Sequence, residues 1–575
     1  MKNLLNPKLI FIALLSLGLL FMKACSDDDN VTSNEPEPEP EETLADVLTN
    51  DDSYSTLVSL VPDNLLSDLQ NEELTVFAPT NAAFEAIPSD VLNSLTEDQV
   101  ELIITYHLVA GTTLSGDIPS QTDVETVQGE LLLLQSNNGV FVNGDTEVVA
   151  PDLTADNGVV HGIDQVLLPS DIRKALGETN IIDVAEEAGG FETLLGAVES
   201  TGLKTTLQFL EPFTVFAPND DAFAALPEGT LESLTADQLT QILTYHALDS
   251  EVFAGDLESQ QAPASLNGEE LYISADDGSV TINGNSNVVA ADIEATNGVI
   301  HVVDSVLLPD AFGTVVDNAI KRFDFNTLVN AVVDADLADA LQAEGPFTVF
   351  APTDDAIAEL PDGLLASLSM EDLQEVLLYH VIGADIKSGD LEEQQSPNAL
   401  SEEALYITAG DGVTVNGSSS VIAADVDASN GTIHAIDQVL LPNKFLNVVE
   451  IAQKNYDLTT LVNLVVDADL AGTLSGDGPF TIFAPVNSAF DEISDTLEGL
   501  SEEEVSDVLT YHVIPDLIKS GDIPEGTTEI GTVNGAEVTI VNDSGSVTVN
   551  GESVITVDLE GTNGVIHLID GVLIP

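Results

Sequence analysis

Apolar residues recur at helical spacing just ahead of a Tyr-His pair at four places in this chain. Val100, Ile103, Ile104 and His107 stand at i, i+3, i+4 and i+7; Leu239/Ile242/Leu243/His246, Leu373/Val376/Leu377/His380 and Val505/Val508/Leu509/His512 repeat the pattern. That period places each set on one face of a helix, so each histidine points inward with the aliphatics. Start signals agree. Thr96 with Gln99, Thr235 with Gln238 and Ser501 with Glu504 read as capping boxes, while Ser369 meets Asp372. Earlier in each stretch, a run such as Val76-Phe77-Ala78 predicts a short strand stopped by Pro79, with Thr80 capping the next helix. Later, runs such as Val413-Thr414-Val415 lead into Asn416-Gly417, a hairpin signal matched by Asn143-Gly144, Asn283-Gly284 and Asn550-Gly551. Helices early and strands late predict an α+β fold.

The stretches are repeats. Leu74-Thr75-Val76-Phe77-Ala78-Pro79 returns as Phe213 to Pro218, Phe347 to Pro352 and Phe480 to Pro485. Asn157-Gly158-Val159-Val160-His161, running on to Pro169, returns at Asn297 to Pro309, Asn430 to Pro442 and Asn563 to Pro575. Equivalent residues stand 132–140 apart. That spacing is domain-sized, well above a solenoid unit, and predicts independent domains in series.

In that order, these blocks resemble the fasciclin domain over nearly the whole chain beyond residue 42. The resemblance implies four tandem fasciclin-like domains, each a β-wedge or sandwich flanked by helices, of a kind found in extracellular adhesion and matrix proteins and in bacterial secreted proteins. Two departures are small: Ile357 stands where Phe84, Phe223 and Phe490 stand, and Val486 replaces the Thr or Asn after Ala-Pro. The expected boundaries are 43–170, 178–310, 312–443 and 445–575.

Ahead of the repeats, Lys2 and Lys8 precede an apolar run from Leu9 to Phe21, too short for a comfortable membrane span. Cys25, the sole cysteine, follows it. The segment resembles a bacterial lipoprotein signal, with residues 1–24 removed and Cys25 lipidated, although Lys23 departs from the usual small-residue box. Ser26-Asp27-Asp28-Asp29 resembles the acidic run that sends lipoproteins of the Bacteroidota to the outer face; a plain solvated tether reads the same. Alternating Pro and Glu from Glu35 to Pro40 makes residues 25–42 an extended spacer. The expected location is the outer membrane or cell surface, with the membrane reached through the lipid anchor only.

Charge narrows the partners. Asp plus Glu number 100 against 12 Lys plus Arg, for a net charge of −88. Such a surface repels phosphate backbones, so nucleic acid is excluded. The expected partner is a cell-surface or extracellular-matrix protein or glycan. Divalent cations are admissible beside so many carboxylates, and a salty medium would equally account for them.

The eight histidines, two per repeat, invite a metal or catalytic reading. On its strand, however, His161 shares a face with Val159 and Ile163, while Asp164 points to the opposite face, which excludes a His–Asp dyad within that strand. Asp164, Asp304, Asp437 and Asp570 are expected to hold backbone donors. Motifs for a nucleophilic serine, a zinc-binding helix, a phosphate loop or an EF-hand do not occur, so neither an enzyme nor a cofactor is expected. In vertebrate matrix members of the family, receptor contacts are attributed to the Tyr-His region and to an Asp-Ile segment. The resemblance thereby nominates Tyr106, His107 and Asp152, then Tyr245, His246 and Asp292, Tyr379, His380 and Asp425, and Tyr511, His512 and Asp558. Read alone, each aspartate could as well cap a turn at a strand end. The function expected is adhesion by a lipid-anchored surface protein; a surface glycan- or nutrient-binding lipoprotein is the alternative.

Overall fold

The computed structural model describes residues 42–575 apart from Glu211, Glu228, Asp277, Asp362 and Glu498. Cys25, the signal segment and all but the last residue of the tether lie outside the described residues. Among these, no helix is long and apolar enough to cross a membrane. The described residues form two compact units: 42–117 with Val148–Val166, and Ile118–Glu147 with Leu167–Pro575.

Four seven-stranded sheets follow one another, all with the same strand order. In the fourth repeat, the strand Phe480–Pro485 lies between Val513–Ile514 and the last strand, Gly564–Ile569, which it joins in parallel from Phe480↔Gly564 to Pro485↔Ile569. Both central strands are near-continuous apolar runs because both of their faces are covered. Helix residues Val448, Leu461 and Leu509 pack with Ile566 on one side; Phe483, Tyr511, Val538 and Val549 make a second core on the other. Glu552–Gly561, antiparallel to the last strand, slips register between Val554 and Thr556 and again between Thr556 and Leu559. These are β-bulges, which re-aim side chains near a functional edge or corner.

Local signals act as expected, with informative exceptions. The Thr96, Thr235 and Ser501 capping boxes form. At Ser369 only half of the box does: Asp372 bonds the Ser369 hydroxyl and also takes Lys444 Nζ at 2.6 Å instead of reaching the cap backbone. Thr80, Asn219 and Thr353 cap the helix after the Pro-terminated strand, whereas Val486 supplies no side-chain bond, so that departure stays local. All four Asn-Gly turns have positive φ at both residues, as hairpin turns of this type need.

The segments between repeats are ordered, and they dock. Ser170–Leu176 is a helix, and Asp310–Phe312 and Asn443–Phe445 are single 3-10 turns. Beyond the third repeat, the helix Val448–Lys454 comes back against that repeat's Asn416-Gly417 turn. Gly417 has φ +73°, and a Cβ there would meet the Gln453 carbonyl at 2.7 Å; Gly284 stands the same way to Ile320. Gly417→Ala is therefore expected to cost about 1–3 kcal/mol, since strain at positive φ adds to a clash with backbone that cannot rotate aside. Urea unfolding of the variant beside the parent measures it. Lys454 closes the same junction, donating from Nζ to Glu403 at 2.7 Å and to the Tyr379 hydroxyl at 3.0 Å. Lys321 does the same at the preceding junction, bonding Asp310 at 2.9 Å. Glu187 occupies the equivalent position of the second repeat's first helix and is exposed.

Candidate recognition site

Each helix ending in Tyr-His carries its histidine into the core, and in the second, third and fourth repeats the ring is fixed at both nitrogens. His512 is 2% exposed; its Nδ1 meets the Val508 carbonyl at 2.8 Å and its Nε2 accepts the Leu573 N–H at 2.9 Å. An acceptor at Nε2 makes Nδ1 the donor, so the tautomer is set by its partners. His246 and His380 repeat both bonds, to Ile242 and Leu307 and to Val376 and Leu440. Burial pushes His107, His246, His380 and His512 down to about 4, against the smaller upward pull of the carbonyl bond.

The neighbouring tyrosines are buried too, with Tyr106 and Tyr379 wholly covered, Tyr245 at 1% and Tyr511 at 5% exposure. Their hydroxyls have a partner that pattern reading missed, the turn asparagine. Asn283, Asn416 and Asn550 each donate Nδ2 to the hydroxyl of Tyr245, Tyr379 and Tyr511, at 2.9, 3.0 and 2.8 Å. The same asparagines accept a strand N–H at Oδ1, as Asn143 does from Leu133. The turn is thus pinned to the helix by one residue that serves both.

The strand histidines are held in the opposite tautomer. His567 Nδ1 accepts the Asp558 N–H at 3.2 Å, leaving Nε2–H to donate to the Ile518 carbonyl at 2.9 Å. His161, His301 and His434 do the same with Asp152, Asp292 and Asp425. Each ring packs 5.5 Å from the phenylalanine of the Pro-terminated strand. Asp304, Asp437 and Asp570 accept a backbone N–H across the strand pair, the role the sequence assigned to them. Spending every ring lone pair and N–H on backbone leaves these side chains no free ligand or base position.

The four nominated aspartates lie at the surface, on the bulged strand. Asp152, Asp292, Asp425 and Asp558 have positive φ between 57° and 61°, and their side chains are 38%, 42%, 38% and 29% exposed. Asp152 accepts the Ser115 N–H at 2.8 Å and its hydroxyl at 2.5 Å. Those two bonds, the hydroxyl's first, hold its carboxyl below the usual carboxylate range. Ser388 and Ser520 hold Asp425 and Asp558 with the same two groups, and the Ala254 N–H alone holds Asp292. The repeated Ser-Gly-Asp at 115–117, 388–390 and 520–522 is the signal that would have found these donors.

Three residues before each aspartate stands an exposed aliphatic, also missed by pattern reading. Val149, Val289, Ile422 and Ile555 are 49%, 57%, 58% and 53% exposed. Each faces outward in the alternation that runs from the strand's start to its first register shift. Each repeat's bulged strand therefore carries an exposed aliphatic and, three residues on, a pinned and partly exposed carboxylate, a pair called a strip below, while the Tyr-His pair stays beneath the surface. Among the described residues, no group of three or more His, Cys, Asp or Glu side chains is arranged to hold a metal ion.

A seven-stranded sheet with a parallel central pair, a buried Tyr-His helix end and a bulged strand, repeated four times, defines a class of tandem α+β modules. The Fasciclin domain is matched at residues 52–169, 189–309, 323–442 and 456–575, most of the chain, and the protein belongs to that family. It is 29% identical over 512 residues to the transforming growth factor-beta-induced protein ig-h3 of Sus scrofa, covering 87% of this chain and 73% of that one. It is 27% identical over 521 residues to Homo sapiens periostin, covering 87% of this chain and 60% of periostin. A solved FAS1 domain pair from the insect cell adhesion molecule Fasciclin I shares 18% identity with a TM-score of 0.35, covering 43% of this chain and 96% of that one.

Proposed function

We propose that this protein is a lipid-anchored cell-surface adhesion protein, exported by its signal segment and held through Cys25, that binds cells or extracellular matrix through its four Fasciclin domains without catalysing a reaction. The observation that carries this reading is the strip that pairs an exposed aliphatic with a pinned aspartate, present at the same place in all four repeats. An aliphatic gives a partner apolar area, and the carboxylate, with lone pairs to spare, can meet a cation held by the partner. The Tyr and His of each repeat support the contact from below by fixing helix and turn. Four weak sites on one chain gain by avidity.

The test is adhesion of cells bearing the full protein to matrix-coated or cell-coated surfaces, with and without calcium. Changing Val149, Val289, Ile422 and Ile555 together to serine is expected to reduce adhesion at least roughly tenfold, the range multivalency supplies, with the melting curve unchanged. Adhesion that survives with the strips removed would overturn the reading. The anchor is tested separately. Cys25→Ala is expected to move the protein from the membrane fraction to the soluble fraction, and retention with the signal cleaved would count against lipidation.

A further inference from the structure

An apolar cavity lies inside the fourth repeat, between its first helices and the sheet. Its volume is about 70 Å³. Val449, Ala452, Val465, Leu474, Leu509 and Ile566 line it. A second cavity, of about 40 Å³, occupies the same place in the third repeat, where Val316, Ala319, Val332, Leu341 and Leu377 line it.

Room for a water molecule requires only about 10–15 Å³, so size does not keep either cavity dry; polarity does. Of the polar side chains on the wall of the larger one, His512 has both nitrogens engaged, and the Thr510 hydroxyl already donates to the Ser506 carbonyl at 2.8 Å. Thr473 is exposed, at the rim. Water inside would forfeit its hydrogen bonds, whereas hydrocarbon would gain contact with walls that now face empty space. Val533, 47% exposed, also lines the cavity and marks its mouth. The chain's net charge of −88 disfavours an anionic head group at that mouth.

From this we infer that the fourth repeat holds a binding site for the alkyl end of a small uncharged molecule, an aliphatic alcohol or ester in chemical class, and that the third repeat holds a smaller version of it. The alkyl chain enters past Val533 and lies against Val465 and Ala452. The neutral head stays in water at Thr473. Neither Ile555 nor Asp558 lines the cavity.

Calorimetric titration of the full chain with a series of linear alcohols tests the site. Affinity is expected to rise roughly fourfold per methylene from methanol to butan-1-ol and then level off as the cavity fills. Hexanoate should bind at least roughly tenfold more weakly than hexan-1-ol, because of its charge. Val465→Phe, which fills the cavity, should abolish binding in the fourth repeat, and Ala452→Val, a smaller change, should weaken it while the fold is retained. Affinity that climbs without levelling, or that is the same in Ala452→Val as in the parent, would mean partition onto the surface and overturn the proposal. So would equal binding of alcohol and carboxylate, or no heat of binding at all.

Discussion

Truncating Lys454 to alanine lowers the stability of the third and fourth repeats by about 2–4 kcal/mol, because it leaves a carboxylate at the junction without its counter-charge. Lys454 is 5% exposed, and its Nζ is shared between Glu403 and the Tyr379 hydroxyl, lying 4.9 Å over the Tyr379 ring. Glu403 also accepts the backbone N–H of Asn443 at 3.0 Å, so it cannot swing away without orphaning that donor. A fully buried pair broken on one side costs roughly 3–5 kcal/mol; the side chain of Glu403 is 25% exposed, and solvent screening reduces the figure. Lys454→Met with Glu403→Gln removes both charges and keeps the volume, and it should recover most of the loss. Calorimetric unfolding of both variants measures this. Parent-like melting in Lys454→Ala would show that helix packing alone fastens the junction.

A second large effect comes with acid. Each Tyr-His histidine titrates near 6.5 when unfolded and, where burial pushes it down, at about 4 in the fold. Between those values the unfolded chain binds more protons than the folded one. Stability is therefore complete above pH 6.5, falls as pH drops toward 4, and loses nothing further from this group below that. The full extent is about 3 kcal/mol per histidine. Relief of repulsion among the carboxylates acts in the opposite direction, so the comparison must be internal. His512→Gln keeps a donor and an acceptor but takes up no proton. The fourth repeat of that variant is expected to start less stable, through imperfect packing, and to lose less on going from pH 7 to pH 4. Parallel pH profiles for parent and variant would show that His512 is not the titrating group.

Much of this was legible along the chain because it is local. The inward histidine, three capping boxes and the Asn-Gly turns rest on patterns within about two helical turns of chain, and the four repeats on the recurrence of those patterns. Ser369 is an instructive exception: its partner Asp372 is drawn to Lys444, 72 residues away, which no local rule includes. The candidate site was half legible. Its aspartates were nominated by resemblance and fall within a register shift, where a strand's alternation no longer assigns a face. The exposed aliphatic before each follows that alternation and was overlooked.

The amino-acid sequence by itself determined the kind of module, its number and its acidic character, since periodicity, turn chemistry and charge are properties of neighbours in the chain. Tertiary structure decided which residues meet. It set Asn416 against the Tyr379 hydroxyl and Lys454 against Glu403, separations of 37 and 51 residues. In the second, third and fourth repeats it gave the two histidines opposite tautomers, through the distant amides of Leu307, Leu440 and Leu573 for one and of Asp292, Asp425 and Asp558 for the other. It also left a cavity where Val465, Ala452 and Ile566 fail to close on one another. The physical reason is common to all of these: a side chain's surroundings are made by segments that the chain brings together only on folding, so burial, hydrogen-bond partner and free space belong to the packed molecule.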